Sequence, residues 1–149
     1  MRSRISTIFM LAFCPWLALP VGCSNLSDGG SDGDGLAGTS WRLVKIRSMD
    51  DQRHTPDDRS KYTLAFEADG RVDVRADCNR GQGSWSEPAP GQLTFGRLTT
   101  TRVMCPSGSL HDRFMRDLGA VRSYRLRDGR LYLSLMADGG VYEFEPAPR

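Results

Sequence analysis

The residues able to do chemistry in this chain gather in two short segments. Asp77-Cys78-Asn79-Arg80-Gly81-Gln82-Gly83-Ser84-Trp85 sets a thiol, an amide and a guanidinium side by side, followed by glycines. Thr99-Thr100-Thr101-Arg102-Val103-Met104-Cys105 sets a second guanidinium and a second thiol after a run of hydroxyls. Two such thiols can bridge, stay reduced as a structural pair, ligate a metal, or supply a nucleophile. Neither cysteine stands in a Cys-x-x-Cys, and only His54 and His111 add nitrogen ligands, so a zinc set is incomplete. A nucleophilic Cys105 would need a thiolate and a nearby base, for which His111 is the candidate. Asn79, Arg80 and Arg102 are the candidate binding residues, since guanidiniums offer forked donors to a carboxylate or phosphate. Asn79 and Arg80 equally suit a structural role, holding a sharp turn and its carbonyls.

Other chemistry is missing from the sequence. It contains no Gly-x-Ser-x-Gly, no His-Glu-x-x-His and no phosphate-binding Gly-Lys-Ser/Thr loop. Glu67, Glu87 and Glu143 are isolated carboxylates. Arg122, Arg125, Arg127 and Arg130 resemble a basic patch, but from Leu36 onward 18 basic residues face 15 acidic ones, which reads as a solvated face and not a nucleic-acid surface. No cofactor and no enzymatic activity are expected.

These segments need a scaffold, and 149 residues allow one domain. With 39% hydrophobic and 26% charged residues and a net charge of +2, full disorder is excluded. No apolar run reaches the roughly 18–20 residues of a membrane-spanning helix, and no repeat with a period of about 20–50 residues is visible. Arg2 and Arg4 precede the apolar run Ile5–Leu19, and polar residues begin at Ser24, the pattern of a secretory signal peptide over residues 1–22. Gly22-Cys23 resembles the lipobox of bacterial lipoproteins, with Pro20 where Leu is usual. That resemblance implies that Cys23 becomes the first mature residue and anchors the protein to a membrane through lipid. Ser24 in place of Asp then favours an outer membrane, facing the periplasm, if the cell has two membranes. Without Arg2 and Arg4 the mature chain balances 18 basic against 18 acidic residues. Residues 23–35, rich in Gly, Ser and Asp, read as a flexible tether with a reach of roughly 20 Å.

From residue 36 to 146 the pattern is that of short strands. Trp41, Leu43, then Val44 and Ile46 mark an irregular first strand. Tyr62, Leu64 and Phe66 alternate cleanly into Asp69-Gly70 and out through Val72, Val74 and Ala76, a hairpin signal. Arg71, Asp73, Arg75 and Asp77 occupy the opposite face, read as solvated. Trp85 with Leu93 and Phe95 suggests another pair. Tyr124–Leu126, Leu131–Leu135 and Tyr142–Phe144, separated by Asp128-Gly129 and Asp138-Gly139-Gly140, predict a meander. Leu110, Phe114, Met115, Leu118 and Val121 have helical spacing, with Ser107 or Ser109 as cap and Gly119 as stop. The class is mainly β (α+β): an antiparallel barrel or half-barrel of about seven or eight strands, covered by one short helix. Alternation places Leu64, Phe66, Val72, Val74, Leu131, Leu133 and Phe144 inside, under Phe114 and Leu118.

The ordered motifs Cys78-Asn79-Arg80, Gly83 with Trp85, Leu93-x-Phe95, Thr101-Arg102 with Cys105, and Leu131-x-Leu133 resemble the META domain of HslJ-like proteins. Asp77 stands where that family has Gly, and Gly81 where it has an aromatic residue. The resemblance implies a non-catalytic binding or stress-response module at the cell envelope, whose partner is an envelope protein or a small-molecule ligand. A structural or inhibitory partner of another envelope protein, and a hydrolase using Cys105 and His111, are the alternatives. In an exported protein with Cys14 removed and Cys23 lipidated, Cys78 and Cys105 are expected to pair. Closing that loop would stabilise the fold by roughly 3–4 kcal/mol through chain entropy.

Overall fold

Period-two burial defines the strands of the computed structural model, which describes residues 35–148. The expected signal peptide, Cys23 and the tether as far as Asp34 lie outside the described residues. β1 (Thr39–Arg47) buries Trp41, Leu43, Val44 and Ile46. Its irregular pattern has a physical cause: the register against the last strand slips between Leu43 and Lys45, a bulge that re-aims the strand. β2 (Arg53–His54) pairs with the end of β1. β3 (Tyr62–Phe66) and β4 (Arg71–Ala76) form the expected hairpin, in which Phe66 opposes Val72 and the Glu67 N–H donates to the Arg71 carbonyl at 2.8 Å. Gly70, at φ 84°, takes the left-handed position of that turn.

β5 (Asn79–Ser86) returns along β4, and its other edge is covered in pieces by β6 (Thr94–Phe95) and β7 (Thr99–Thr100). After α1 (His111–Leu118) come β8 (Val121–Arg127), β9 (Arg130–Leu135) and β10 (Val141–Pro146), the expected meander. Asp128 and Gly129 both have positive φ, 52° and 68°, as a type I′ hairpin requires. The order β6-β5-β4-β3-β1-β10-β9-β8 wraps the antiparallel sheet into a nearly closed eight-strand barrel with β2 and β7 as short additions. At the seam the Leu93 N–H donates to the Arg122 carbonyl at 3.1 Å and the Tyr124 N–H to the Gly91 carbonyl at 2.9 Å.

Every residue placed inside by alternation is buried: Leu64, Phe66, Leu131, Leu133 and Phe144 are wholly covered, with Val72 and Val74 beside them. Phe114 from α1 enters this core, its ring edge-on to Tyr62 at 5.6 Å and tilted against Tyr142 and Phe144. Ser109, not Ser107, supports the helix start, its Oγ accepting the His111 N–H at 3.1 Å. Gly119 ends the helix as expected, which leaves Val121 outside it although its spacing is helical. Ala120 donates back to the Asp117 carbonyl at 2.9 Å, and Val121 reaches the core as the first residue of β8 instead.

Outside the core, β10 presents two acids to basic neighbours. Glu143 meets Lys45 at 2.9 Å and Arg130 at 2.6 Å, and Glu145 meets Arg42 at 2.7 Å and Arg59 at 2.9 Å. Partial burial alone would raise both carboxyls, but Lys45 with Arg130, and Arg59 with Arg42, outweigh it and hold them below their ordinary value of 4.5. A depressed carboxyl stabilises the fold above its ordinary value, and that contribution is lost as pH falls through the depressed one. Glu143→Gln and Glu145→Gln should therefore each cost up to about 1 kcal/mol at neutral pH. The difference from the parent should vanish in strong acid, as read by urea denaturation across a pH series.

Candidate functional site

The two sequence segments singled out for chemistry meet at one end of β5. Ala76 and Asn79 close the β4–β5 hairpin through Asp77 and Cys78. Asp77 sits at φ 57°, a left-handed conformation that glycine takes freely and Asp takes more readily than most residues. That geometry explains a Gly at this position in the sequence pattern, and its N–H donates to the Lys61 carbonyl at 2.7 Å. From the turn, Cys78 bridges to Cys105 with Cα atoms 5.5 Å apart, across 27 positions of sequence.

Asn79 is 1% exposed and its side chain is fully engaged inside the fold. Its Oδ1 accepts the Val103 N–H at 2.8 Å and the Thr101 hydroxyl at 2.9 Å, while its Nδ2 donates to the Val103 carbonyl at 2.9 Å. One amide thus grips both polar groups of the Val103 backbone, as a neighbouring strand would. One residue on, the Arg80 N–H donates to Thr101 Oγ1 at 3.1 Å, and the Thr101 N–H to the Arg80 carbonyl at 2.9 Å. The segment runs so close to β5 that a side chain is excluded at two of its positions. A Cβ on Gly81 would lie 2.9 Å from the Thr99 carbonyl oxygen, and one on Gly83 2.9 Å from that of Arg97.

What this frame presents to solvent is a short tip. Arg80 and Arg102 are exposed, Val103 is 60% exposed and Met104 95%. The sequence candidates therefore separate: Arg80 and Arg102 lie on the surface, whereas Asn79 is the clamp behind it. His111 keeps Nδ1 at 3.0 Å from Asp112 Oδ1, and its buried Nε2 has no partner among the described residues. No group of three or more His, Cys, Asp or Glu able to hold a metal occurs among the described residues. Sequence reasoning passed over Arg75, taken as part of a solvated face. The two-residue turn after Ala76 sets Arg75 directly opposite Arg80, a register that could have been counted from the turn.

If the bridge and the amide clamp hold the tip, Cys78→Ala and Cys105→Ala should each lower stability by about 3 kcal/mol, and the double variant by no more than either. Asn79→Ala, which strands the Val103 N–H and carbonyl, should cost about 2–3 kcal/mol. It should also make the 101–105 segment the first site of limited proteolysis. Guanidinium denaturation and peptide mapping read both.

The fold has counterparts among solved proteins. It is similar to a protein from Burkholderia xenovorans, with 22% identity over 76% of this chain and 85% of that one and a TM-score of 0.64. It is also similar to a DUF4847 family protein from Bacteroides vulgatus, with 16% identity over 74% and 93% of the two chains and a TM-score of 0.55. At these identities the likeness is one of fold. No curated protein matches the chain in sequence. A family model, the META domain, matches residues 34–149, which take in the barrel, its helix and both bridged cysteines. The chain belongs to the META domain family.

Proposed function

We propose that this META domain protein is exported, lipid-anchored at Cys23 and non-catalytic, and that it serves as a binding or stress-response module at the cell envelope. The observation that carries the reading is the Cys78–Cys105 bridge, which with Asn79 fixes an exposed basic and apolar tip, Arg102-Val103-Met104, beside Arg80. A rigid surface element loses little freedom on binding, so such a tip suits the capture of an envelope partner. A bridge of this kind persists in an oxidising compartment, which agrees with the export signal read in residues 1–22. The same bridge weighs against a hydrolase built on Cys105 and His111, since a sulfur held in a disulfide is not a thiolate. The tether between Cys23 and the barrel would keep the tip within tens of ångströms of the membrane surface.

Two experiments test the reading. Cys23→Ser should leave an unprocessed or soluble form and shift the protein out of the membrane fraction. A serine variant that is still cleaved and still membrane-bound would overturn lipid anchoring. Arg80→Gln with Arg102→Gln should abolish partner co-purification from detergent-solubilised envelope while changing stability by less than about 0.5 kcal/mol. A large loss of stability with capture intact would show that the two arginines hold the fold instead.

A further inference from the structure

The outer surface of β3, β4 and β5 carries side chains in cross-strand rows. Thr63, Arg75 and Arg80 form one row, extended by Thr101 through its backbone bond to Arg80. Ala65, Asp73, Gln82 and Thr99 form the next. Together they border an open groove of about 620 Å³, within the usual size of small-ligand sites.

The charge arrangement in this groove is unusual. Arg75 and Arg80 stand directly opposite one another, and like charges in that relation repel. Arg71, on the same strand, meets Asp69 at 2.8 Å. None of the ion pairs among the described residues includes Arg75 or Arg80. Arg75 has only a long contact, its Nε 3.5 Å from the Asp77 carbonyl oxygen. The backbone beneath Arg80 is pinned by Thr101 on both its N–H and its carbonyl, so that guanidinium projects from a fixed point. Two forked donors on facing strands can grip one oxyanion from both sides, with the Thr63 hydroxyl beside them. A doubly charged phosphate complements two guanidiniums better than a single carboxylate does. Asp73, one row away, confines an anion to the arginine row.

We propose that this groove binds a phosphate-class oxyanion, held between Arg75 and Arg80 with Thr63 at its edge. The inference goes beyond partner capture at the tip: Arg80 serves both readings, but Arg75 lies outside the tip, so Arg75→Gln tests the groove alone.

The probe is inorganic phosphate, titrated into full-length protein in a neutral detergent at constant ionic strength, with chloride as the balancing anion. Saturable NMR shifts are expected at the Arg75 and Arg80 Nε–Hε groups and at the Thr63 and Thr101 amides. Arg75→Gln should weaken binding by about tenfold or more, because each charge-assisted contact is strong. It should not lower the melting temperature, since it removes a like-charge contact. Arg75→Lys, which keeps the charge but loses the fork, should bind with intermediate affinity. A non-saturating response, an equal response in Arg75→Gln, or shifts that follow chloride alone would overturn the proposal. Nanodiscs of phosphatidic acid or of phosphatidylcholine, both able to take up the acylated protein, then separate the sources. Arg75 and Arg80 Nε–Hε shifts that appear with phosphatidic acid and are lost in Arg75→Gln identify a lipid headgroup, and saturation by phosphate with no difference between the two nanodiscs identifies a soluble phosphate compound.

Discussion

The far edge of β5 is the constraint on which the rest of this structure depends. A strand with one edge on β4 must satisfy the other, and no single continuous strand is available to do it. The chain solves the problem in instalments. Phe95 opposes Trp85, Thr99 and Thr100 oppose Gln82 and Gly81, Thr101 bonds Arg80, and the Asn79 side chain takes over where backbone pairing ends. The segment from Thr94 to Cys105 has few side chains to bury, so polar clamps and the disulfide hold what hydrophobic packing does not. The bare backbone at Gly81 and Gly83 follows from the same closeness of approach.

This explains which parts of the molecule were legible in the sequence. Alternation in β3, β4, β9 and β10 is strict because one face of each is buried, and so their inward residues could be assigned correctly. The Asp-Gly turns announced both hairpins because few other residues accept a left-handed backbone. Val121 misled the eye, since a residue three positions after Leu118 fits a helix as well as it fits the start of a strand, and a backbone turn at Ala120 decides the matter. The role of Asn79 was open because an amide beside glycines serves a ligand or a loop equally well. Only the position of Val103, 24 residues away, closes that choice. Arg75 was overlooked because alternating signs along one strand look balanced, whereas repulsion or attraction is set by the residue across the sheet.

Charge is also distributed unevenly around the barrel. On the β1–β10–β9 side two glutamates engage Arg42, Lys45, Arg59 and Arg130. On the β4–β5 side Arg75 and Arg80 face each other, and Arg102 stands exposed one residue beyond Thr101, which bonds Arg80. Among the described residues, the glutamate-bearing surface is therefore compensated by ion pairs, and the Arg75–Arg80 row is not. Compensated pairs of this kind add modest stability. Uncompensated ones cost some, and are where a ligand's charge would be felt.

The bridge between Cys78 and Cys105 has a consequence for how the protein is made. No cysteine lies between the two positions, so a chain emerging amino-terminus first exposes Cys78 and next delivers its native partner. The β4–β5 hairpin that carries Cys78 is made of local contacts and can form before Cys105 arrives. If Cys14 leaves with a signal peptide and Cys23 is acylated, as proposed, oxidation would have a single outcome and no shuffling among wrong pairs. Biogenesis would then need an oxidant but no isomerase.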